Sequence, residues 1–124
     1  MPDRVKLYFD GGYRPEGMET AVVLRGQAHV RADRGPGSSI EAEWLALIDA
    51  LTLARARRLT DVVLLGDCVP VIEQANGRAP CRGDGIPYLA AFRALAAEGT
   101  PPRIRYIRRA QNLAGIALAR RHGR

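Results

Sequence analysis

The sequence predicts an α/β fold in which a five-stranded mixed sheet is flanked by helices, with the element order βββαβααβα. Three short strand patterns follow one another near the N-terminus, separated by glycine-containing turns. A long helical pattern comes next, and the continuous apolar run after it is typical of a buried parallel strand. Because crossover connections are right-handed, we expect the fourth and fifth strands to run parallel to the first.

The first three strands are predicted from alternating apolar and polar residues. The first covers Val5 to Asp10 and stops at Gly11-Gly12, which places Asp10 at the C-terminal end of its strand. The second and third cover residues 20–24 and 28–32, and the short linker between them allows an antiparallel hairpin. The chain is therefore expected to open with three antiparallel strands.

The long helix is predicted to begin at Ser38 or Ser39 and to run to about Arg58. Ser38 followed three residues later by Glu41 is a capping box, which engages Glu41 at the start of the helix. Glu43 is left free at the border of the apolar stripe, where it can point along the seam between helix and sheet. The stripe is made of residues at helical spacing: Ile40, Trp44, Leu47, Leu51 and Ala54.

The second half of the chain continues with alternating helices and strands. The apolar run 62–65 ends in Gly66-Asp67, so Asp67 also closes a strand at its C-terminal end. Helices are predicted over 69–75, 87–97 and 112–121, and a fifth strand over 103–108. Sites in such sheets gather at the carboxyl ends of strands, so we expect Asp10 and Asp67 to lie close together.

Composition indicates one compact domain covering residues 1–124, because 47% hydrophobic residues suffice for a core without disulfides. The chain has no apolar signal segment, so we expect Cys68 and Cys81 to be reduced thiols in a cytoplasmic protein. No apolar run is long enough to cross a bilayer. The expected protein is a monomer without a membrane partner.

Positive charge is concentrated near the C-terminus of a chain whose net charge is +6. Residues 99–124 contain no carboxylate, which predicts a polyanion-binding face. An alternative is that the chain is simply rich in arginine and that some of these side chains complement a helix dipole. The arginines in this segment are Arg103, Arg105, Arg108, Arg109, Arg120, Arg121 and Arg124.

Two aspartates brought together would repel each other unless a cation neutralises them, and a hard ion such as Mg²⁺ needs little more than a few clustered acids. Glu43 could complete such a set. Two other interpretations remain open at this point. Asp10 and Asp67 could be turn residues beside glycine, and Glu43 could be an ordinary acid on the helix surface.

Four sequence blocks resemble, in order and approximate spacing, the signatures of type I ribonuclease H. They are Tyr8 to Gly12, Ala42 to Leu47, Leu65 to Cys68 with Gln74 and Gly77, and Arg109 with Asn112, Leu118 and Ala119. The resemblance implies a ribonuclease H-like fold and hydrolysis of the RNA strand in RNA/DNA hybrids, leaving 5′-phosphates. It also implies that Asp10, Glu43 and Asp67 hold two Mg²⁺ or Mn²⁺ ions, and that nucleic acid is contacted by Gly11, Gly12, Ser38, Ser39, Arg109 and Asn112.

The sequence departs from this family at Ile116, where the family pattern places a fourth acid. Ile116 is expected to form a core stripe with Leu113 and Ala117 instead. Three acids predict a weaker or Mn²⁺-preferring enzyme. The alternatives are a catalytically silent ribonuclease H-like domain, or an exonuclease or nucleotidyl transferase on the same fold. His29 and His122 are expected to be surface residues rather than proton shuttles.

Overall fold

A computed structural model describes residues 4–123, so the expectation for Arg124 falls outside the described part. Within these residues the five strands are β1 (Val5–Arg14), β2 (Gly17–Leu24), β3 (Gln27–Arg31), β4 (Val62–Gly66) and β5 (Arg103–Tyr106). The helices are α1 (Ser39–Ala56), α2 (Val69–Ala75), α3 (Gly85–Ala96) and α4 (Leu113–Arg121), and a 3₁₀ turn covers Arg109–Gln111. No helix of this described part is both long and apolar enough to span a membrane.

The five strands form one mixed sheet in the order β3-β2-β1-β4-β5. β1 pairs with β2 in antiparallel orientation, and β2 does the same with β3. β4 runs parallel to its neighbours β1 and β5. The predicted fold class is therefore confirmed, including the parallel orientation of the fourth and fifth strands relative to the first.

The prediction that β1 stops at Asp10 is wrong. β1 continues through Gly11 and Gly12 to Arg14, because β2 begins at Gly17 and supplies backbone partners over this whole length. Asp10 lies opposite Ala21 in the middle of β1, whereas the parallel pairing with β4 ends at Tyr8 opposite Leu65. Asp10 is therefore two residues beyond the last pair between β1 and β4. It lies at the carboxyl end of β4, although it is not at the end of its own strand.

The two faces of the sheet are covered unequally. α1 packs on one face and contributes more residues than any other element to a core that includes Leu7, Phe9, Trp44, Leu47 and Leu64. The other face carries a smaller cluster in which Ala21 and Val23 contact Ala114 and Leu118 of α4. Asp10 is on β1, the central strand between these two layers, so both α1 and α4 approach it.

Three predicted core positions are wrong. Ile40, at the start of α1, is 42% exposed, whereas Ala42 in the same turn is buried against β1. In α4, Leu113 and Ile116 are exposed, whereas Ala114 and Leu118 are buried. Ala114 and Leu118 lie one helical turn apart and face the sheet, so Leu113 and Ile116 are turned away from it.

A buried polar network joins β2 to the middle of α1 and to the segment that precedes this helix. The Thr20 hydroxyl donates a hydrogen bond to Oδ2 of Asp49 over 2.7 Å, and the Arg34 guanidinium donates to both side chains. Thr20 is 1% exposed, so these bonds satisfy groups that water does not reach. The network ties the segment before α1 to the sheet and to the middle of the helix.

Candidate active site

Three carboxylates from three different elements meet at one point. Asp10 comes from the middle of β1, Glu43 from the N-terminal part of α1, and Asp67 from the residue that directly follows β4. One carboxylate oxygen from each residue lies within 4.8 Å of the others. The predicted convergence of these three side chains is confirmed, while their role as metal ligands stays a prediction.

Glu43 is held by the backbone of β1. The amide of Gly11 donates a 2.8 Å hydrogen bond to Oε1 of Glu43. A Cβ atom at Gly11 would lie 2.1 Å from the carbonyl oxygen of Ala42, which is closer than atoms can approach. Glycine at position 11 is therefore required for α1 to lie near enough to β1 for Glu43 to reach the cluster.

Glu41 and Glu43 have different surroundings, as the capping argument predicts. Ser38 is the N-cap of α1, and its hydroxyl accepts a 3.1 Å hydrogen bond from the amide of Glu41. The Glu41 carboxylate accepts a hydrogen bond from the Tyr88 hydroxyl rather than returning to Ser38 among the described contacts. Only the amide half of the capping box is thus formed, but Glu41 still lies outside the carboxylate cluster.

The Asn112 side chain is hydrogen-bonded to the Asp67 carboxylate. Its side-chain amide donates hydrogen bonds to Oδ2 of Asp67 over 3.2 Å and to the carbonyl oxygen of Phe9 over 3.0 Å. Its side-chain oxygen accepts from the amide of Ala114 and so caps α4. Asn112 is 0% exposed, and its hydrogen-bonding groups are directed inward. Asn112 therefore connects β1, the Asp67 carboxylate and α4, and its predicted contact with nucleic acid stays a prediction.

The cluster carries strongly perturbed acids. Burial raises the pKa of Glu43 to about 9, with the Asp10 charge as the next cause, although the hydrogen bond from Gly11 acts in the opposite direction. Burial and then the Asp67 charge raise the pKa of Asp10 to about 7, against the opposing effect of Arg109. The repulsion between these carboxylates means that a cation bound among them would stabilise the ionised forms.

Burial also raises the pKa of the Cys68 thiol to about 11, so it is protonated near neutral pH. Cys68 and Cys81 are both free.

The remaining residues predicted to contact nucleic acid differ in availability. Ser38, Ser39 and Arg109 are exposed, and the Arg109 charge is close enough to favour ionised Asp10. Gly11 is engaged with Glu43 through its amide, and a Cβ at Gly12 would lie 3.2 Å from the Glu19 carboxylate. Direct contacts from these residues to a nucleic acid stay predictions.

Position 115, next to the residue that replaces the fourth acid, faces the cluster. A Cβ atom at Gly115 would lie 3.4 Å from Oδ2 of Asp10. Ile116 itself is 38% exposed. α4 therefore brings its backbone to Asp10 without adding a carboxylate there.

Sequence reasoning missed a polar cluster around Glu19, which pairs with Gly12 near the C-terminal end of β1. Glu19 is 5% exposed, and both of its carboxylate oxygens lie within 2.9 Å of Nε2 of His122. Arg14 and Arg121 also face Glu19. His122 is thus half-buried and paired rather than a simple surface residue. The sequence analysis placed Glu19 directly before the predicted strand 20–24 and so gave no sign of its burial.

Comparison with known proteins gives a consistent family assignment. A family model described as reverse transcriptase-like matches residues 19–122. RNase H1 from the halophilic archaeon Halobacterium salinarum is similar in structure, with a TM-score of 0.77, 28% identity and 94% coverage of each chain. The N-terminal RNase H domain of a Mycobacterium tuberculosis protein has a TM-score of 0.75 and 26% identity, covering 94% of this chain and 95% of that one.

The structure of LC11-RNase H1, a protein isolated from compost, is known in complex with an RNA/DNA hybrid. This protein shares the fold, with a TM-score of 0.72, 22% identity and 88% coverage of each chain. No curated protein matches the sequence. The family model covers most of the chain, and the fold and the order of the strands agree with it. The chain belongs to the reverse transcriptase-like family of ribonuclease H-like proteins.

Proposed function

We propose that this protein is a metal-dependent endoribonuclease that hydrolyses the RNA strand of RNA/DNA hybrids. The observation that carries the proposal is the convergence of Asp10, Glu43 and Asp67 on one point of the sheet. Support for the substrate comes from the two ribonucleases H that share 28% and 26% identity with this chain over nearly its whole length. A monomeric cytoplasmic enzyme remains our expectation.

The donor set fits a hard divalent cation. All three side chains offer oxygen atoms, which Mg²⁺ and Mn²⁺ prefer, and they lie close enough to share an ion. Burial, and after it the neighbouring carboxylate charge, raises the pKa values of Asp10 and Glu43, and a cation bound among them would favour the ionised forms. Two bound ions would supply activation of the attacking water and stabilisation of the leaving 3′-oxygen.

The rest of the site would keep these ligands in place and receive the phosphate. The Gly11 amide fixes one oxygen of Glu43, and Asn112 fixes one oxygen of Asp67. Fixed ligands need no reorganisation when the substrate binds. Arg109 is exposed beside Asp10, so its guanidinium can contact the negatively charged phosphate near the scissile bond.

The substrate class suits the charge distribution. The alternation of β5 places Arg103 and Arg105 on the side opposite Ile104, where both are exposed. Phosphate contacts of this kind should make hybrid binding weaken steeply as salt increases. The RNA/DNA hybrid held by LC11-RNase H1 is the ligand that we propose for this chain. Specificity would depend on groove shape and the 2′-hydroxyl rather than on base sequence.

The missing fourth acid at Ile116 is the reason to keep one alternative, a silent ribonuclease H-like domain that binds nucleic acid without cutting it. This residue stands where the family pattern has its fourth acid, and it is partly exposed on α4. One fewer carboxylate should hold a second ion more loosely. We therefore expect activity that requires high metal concentrations and favours Mn²⁺ over Mg²⁺.

The test is cleavage of a labelled RNA/DNA hybrid by purified protein with Mg²⁺ or with Mn²⁺. Asp10→Asn should abolish cleavage, whereas Asp84→Asn, at an exposed aspartate before α3, should not change it. Duplex DNA should bind but remain intact. Inactivity with both metals, in a protein that still binds hybrid, would favour the silent domain. Equal cleavage of duplex DNA or single-stranded RNA would contradict the proposed substrate class.

A further inference from the structure

A cavity lies at the end of the sheet opposite the carboxylate cluster. It is bounded by the start of β1, the turn between β2 and β3, and the segment joining α1 to β4. Lys6 lines it and precedes Asp10 by four residues, a separation of about 13 Å along the strand. The cavity volume is about 640 Å³, within the range of sites for small organic ligands.

Positive charge dominates the lining of this cavity. Lys6, Arg25 and Arg58 line it, and none of them forms an ion pair with a carboxylate of residues 4–123. Asp61 is the one lining carboxylate, and it is paired with Arg4 over 3.3 Å. Three cations therefore face the cavity without a described counter-charge, which favours an anionic ligand.

Two of these cations are held at positions where arginine is an uncommon choice. Arg25 has φ 51° and precedes Gly26 in the tight turn between β2 and β3, where Asn-Gly is the preferred pair. Arg58 has φ 55° just after the end of α1, where glycine predominates. The left-handed conformation costs a non-glycine residue roughly 1–2 kcal/mol. Residues held in such sparsely populated conformations cluster at functional sites, so both arginines are candidates for contact with a ligand.

The same cavity also offers an apolar surface. Tyr8 and Leu59 line it, and both are only partly buried by the rest of the protein. An aromatic ring beside cations suits a ligand that has a flat ring at one end and phosphates at the other, because bases stack on aromatic side chains.

We propose that this cavity binds a phosphorylated nucleotide, with its phosphates on Lys6, Arg25 and Arg58 and its base against Tyr8 and Leu59. The nucleotide could be free or could be the end of a nucleic acid strand, since both present the same chemistry. This site is separate from the carboxylate cluster and does not depend on the function proposed for that cluster.

The test is calorimetric titration with ATP, with adenosine, and with a 5′-phosphorylated oligothymidylate. EDTA is present throughout, so that phosphate cannot bind through metal at the carboxylate cluster. The wild type should bind ATP saturably and adenosine far more weakly. Arg25→Asn and Arg58→Asn should each weaken ATP binding about tenfold, the effect of losing one charged hydrogen bond. Arg93→Gln, an exposed arginine on α3, removes the same charge and should change binding by less than about twofold.

Asparagine tolerates the left-handed conformation, so both variants should unfold at the same temperature as the wild type or higher. This separates loss of binding from loss of folding. Saturable binding of ATP identifies a free nucleotide as the ligand, and saturable binding of the oligonucleotide alone identifies a strand end. Absence of saturable binding by both probes would overturn the proposal. So would equal effects of Arg25→Asn, Arg58→Asn and Arg93→Gln.

Discussion

Replacing Glu43 with glutamine should stabilise the metal-free protein. The ordinary pKa of this carboxyl is 4.5, and burial beside Asp10 raises it to about 9 in the folded state. Above pH 4.5 the unfolded chain ionises Glu43 while the folded chain resists ionisation, so stability falls as pH rises through this window. Glutamine retains an oxygen acceptor for the Gly11 amide, which donates over 2.8 Å, and carries no charge.

The size of the effect follows from the pKa difference. At pH 7.5 an isolated, fully buried group would cost about 4 kcal/mol, at about 1.4 kcal/mol per pKa unit. Glu43 is partly hydrated and shares its proton with Asp10, so we expect about 1–2 kcal/mol. For a chain of this length, this corresponds to a rise in Tm of roughly 4–8 °C.

The assay is thermal unfolding followed by circular dichroism, in EDTA and in Mg²⁺ or Mn²⁺. In EDTA at pH 7.5 Glu43→Gln should melt above the wild type, and the difference should vanish near pH 4.5. Metal should stabilise the wild type by mass action and the variant much less. Glu98→Gln, at an exposed position after α3, is the matched control. A variant that melts below the wild type in EDTA, or that gains equally from metal, would refute this account of the cluster.

Three further predictions concern α4 and its N-cap. Asn112→Ala should lower the free energy of unfolding, measured by urea denaturation, by about 2–4 kcal/mol. The change removes a helix cap and leaves buried groups of Phe9 and Asp67 without a partner. An unchanged denaturation midpoint would contradict this prediction. Gly115→Ala should raise the free energy of unfolding by about 0.5–1 kcal/mol in the same assay, because the new Cβ would lie at van der Waals distance, 3.4 Å, from Oδ2 of Asp10. A loss of stability would mean that this contact is too tight. Ile116→Asp should increase Mg²⁺-supported hybrid cleavage by restoring the family pattern, and no increase in a folded variant would mean that position 116 does not face the site.

Local patterns were sufficient for much of the fold. The bounds of α2 agree with the prediction residue for residue, because a proline in the first turn and an asparagine after the last define it locally. Ser38 and Glu41 also identify a helix start from a spacing of three residues. The same reasoning separated Glu41 from Glu43, although the Glu41 carboxylate accepts from Tyr88 instead of returning to Ser38 among the described contacts. These features depend on neighbours along the chain, which the sequence displays directly.

Contacts between distant segments decided the rest. Gly11-Gly12 reads as a strand stop, but pairing with β2 carries β1 through it to Arg14. The hydrogen bond from Asn112 to Phe9, 103 residues earlier, has no signal in the local sequence. The exposure of Ile116 depends on which face of α4 meets the sheet. The sequence alone determined the residue types of the carboxylate site, and the tertiary structure decided their surroundings, because burial and hydrogen bonding depend on elements far apart in the chain.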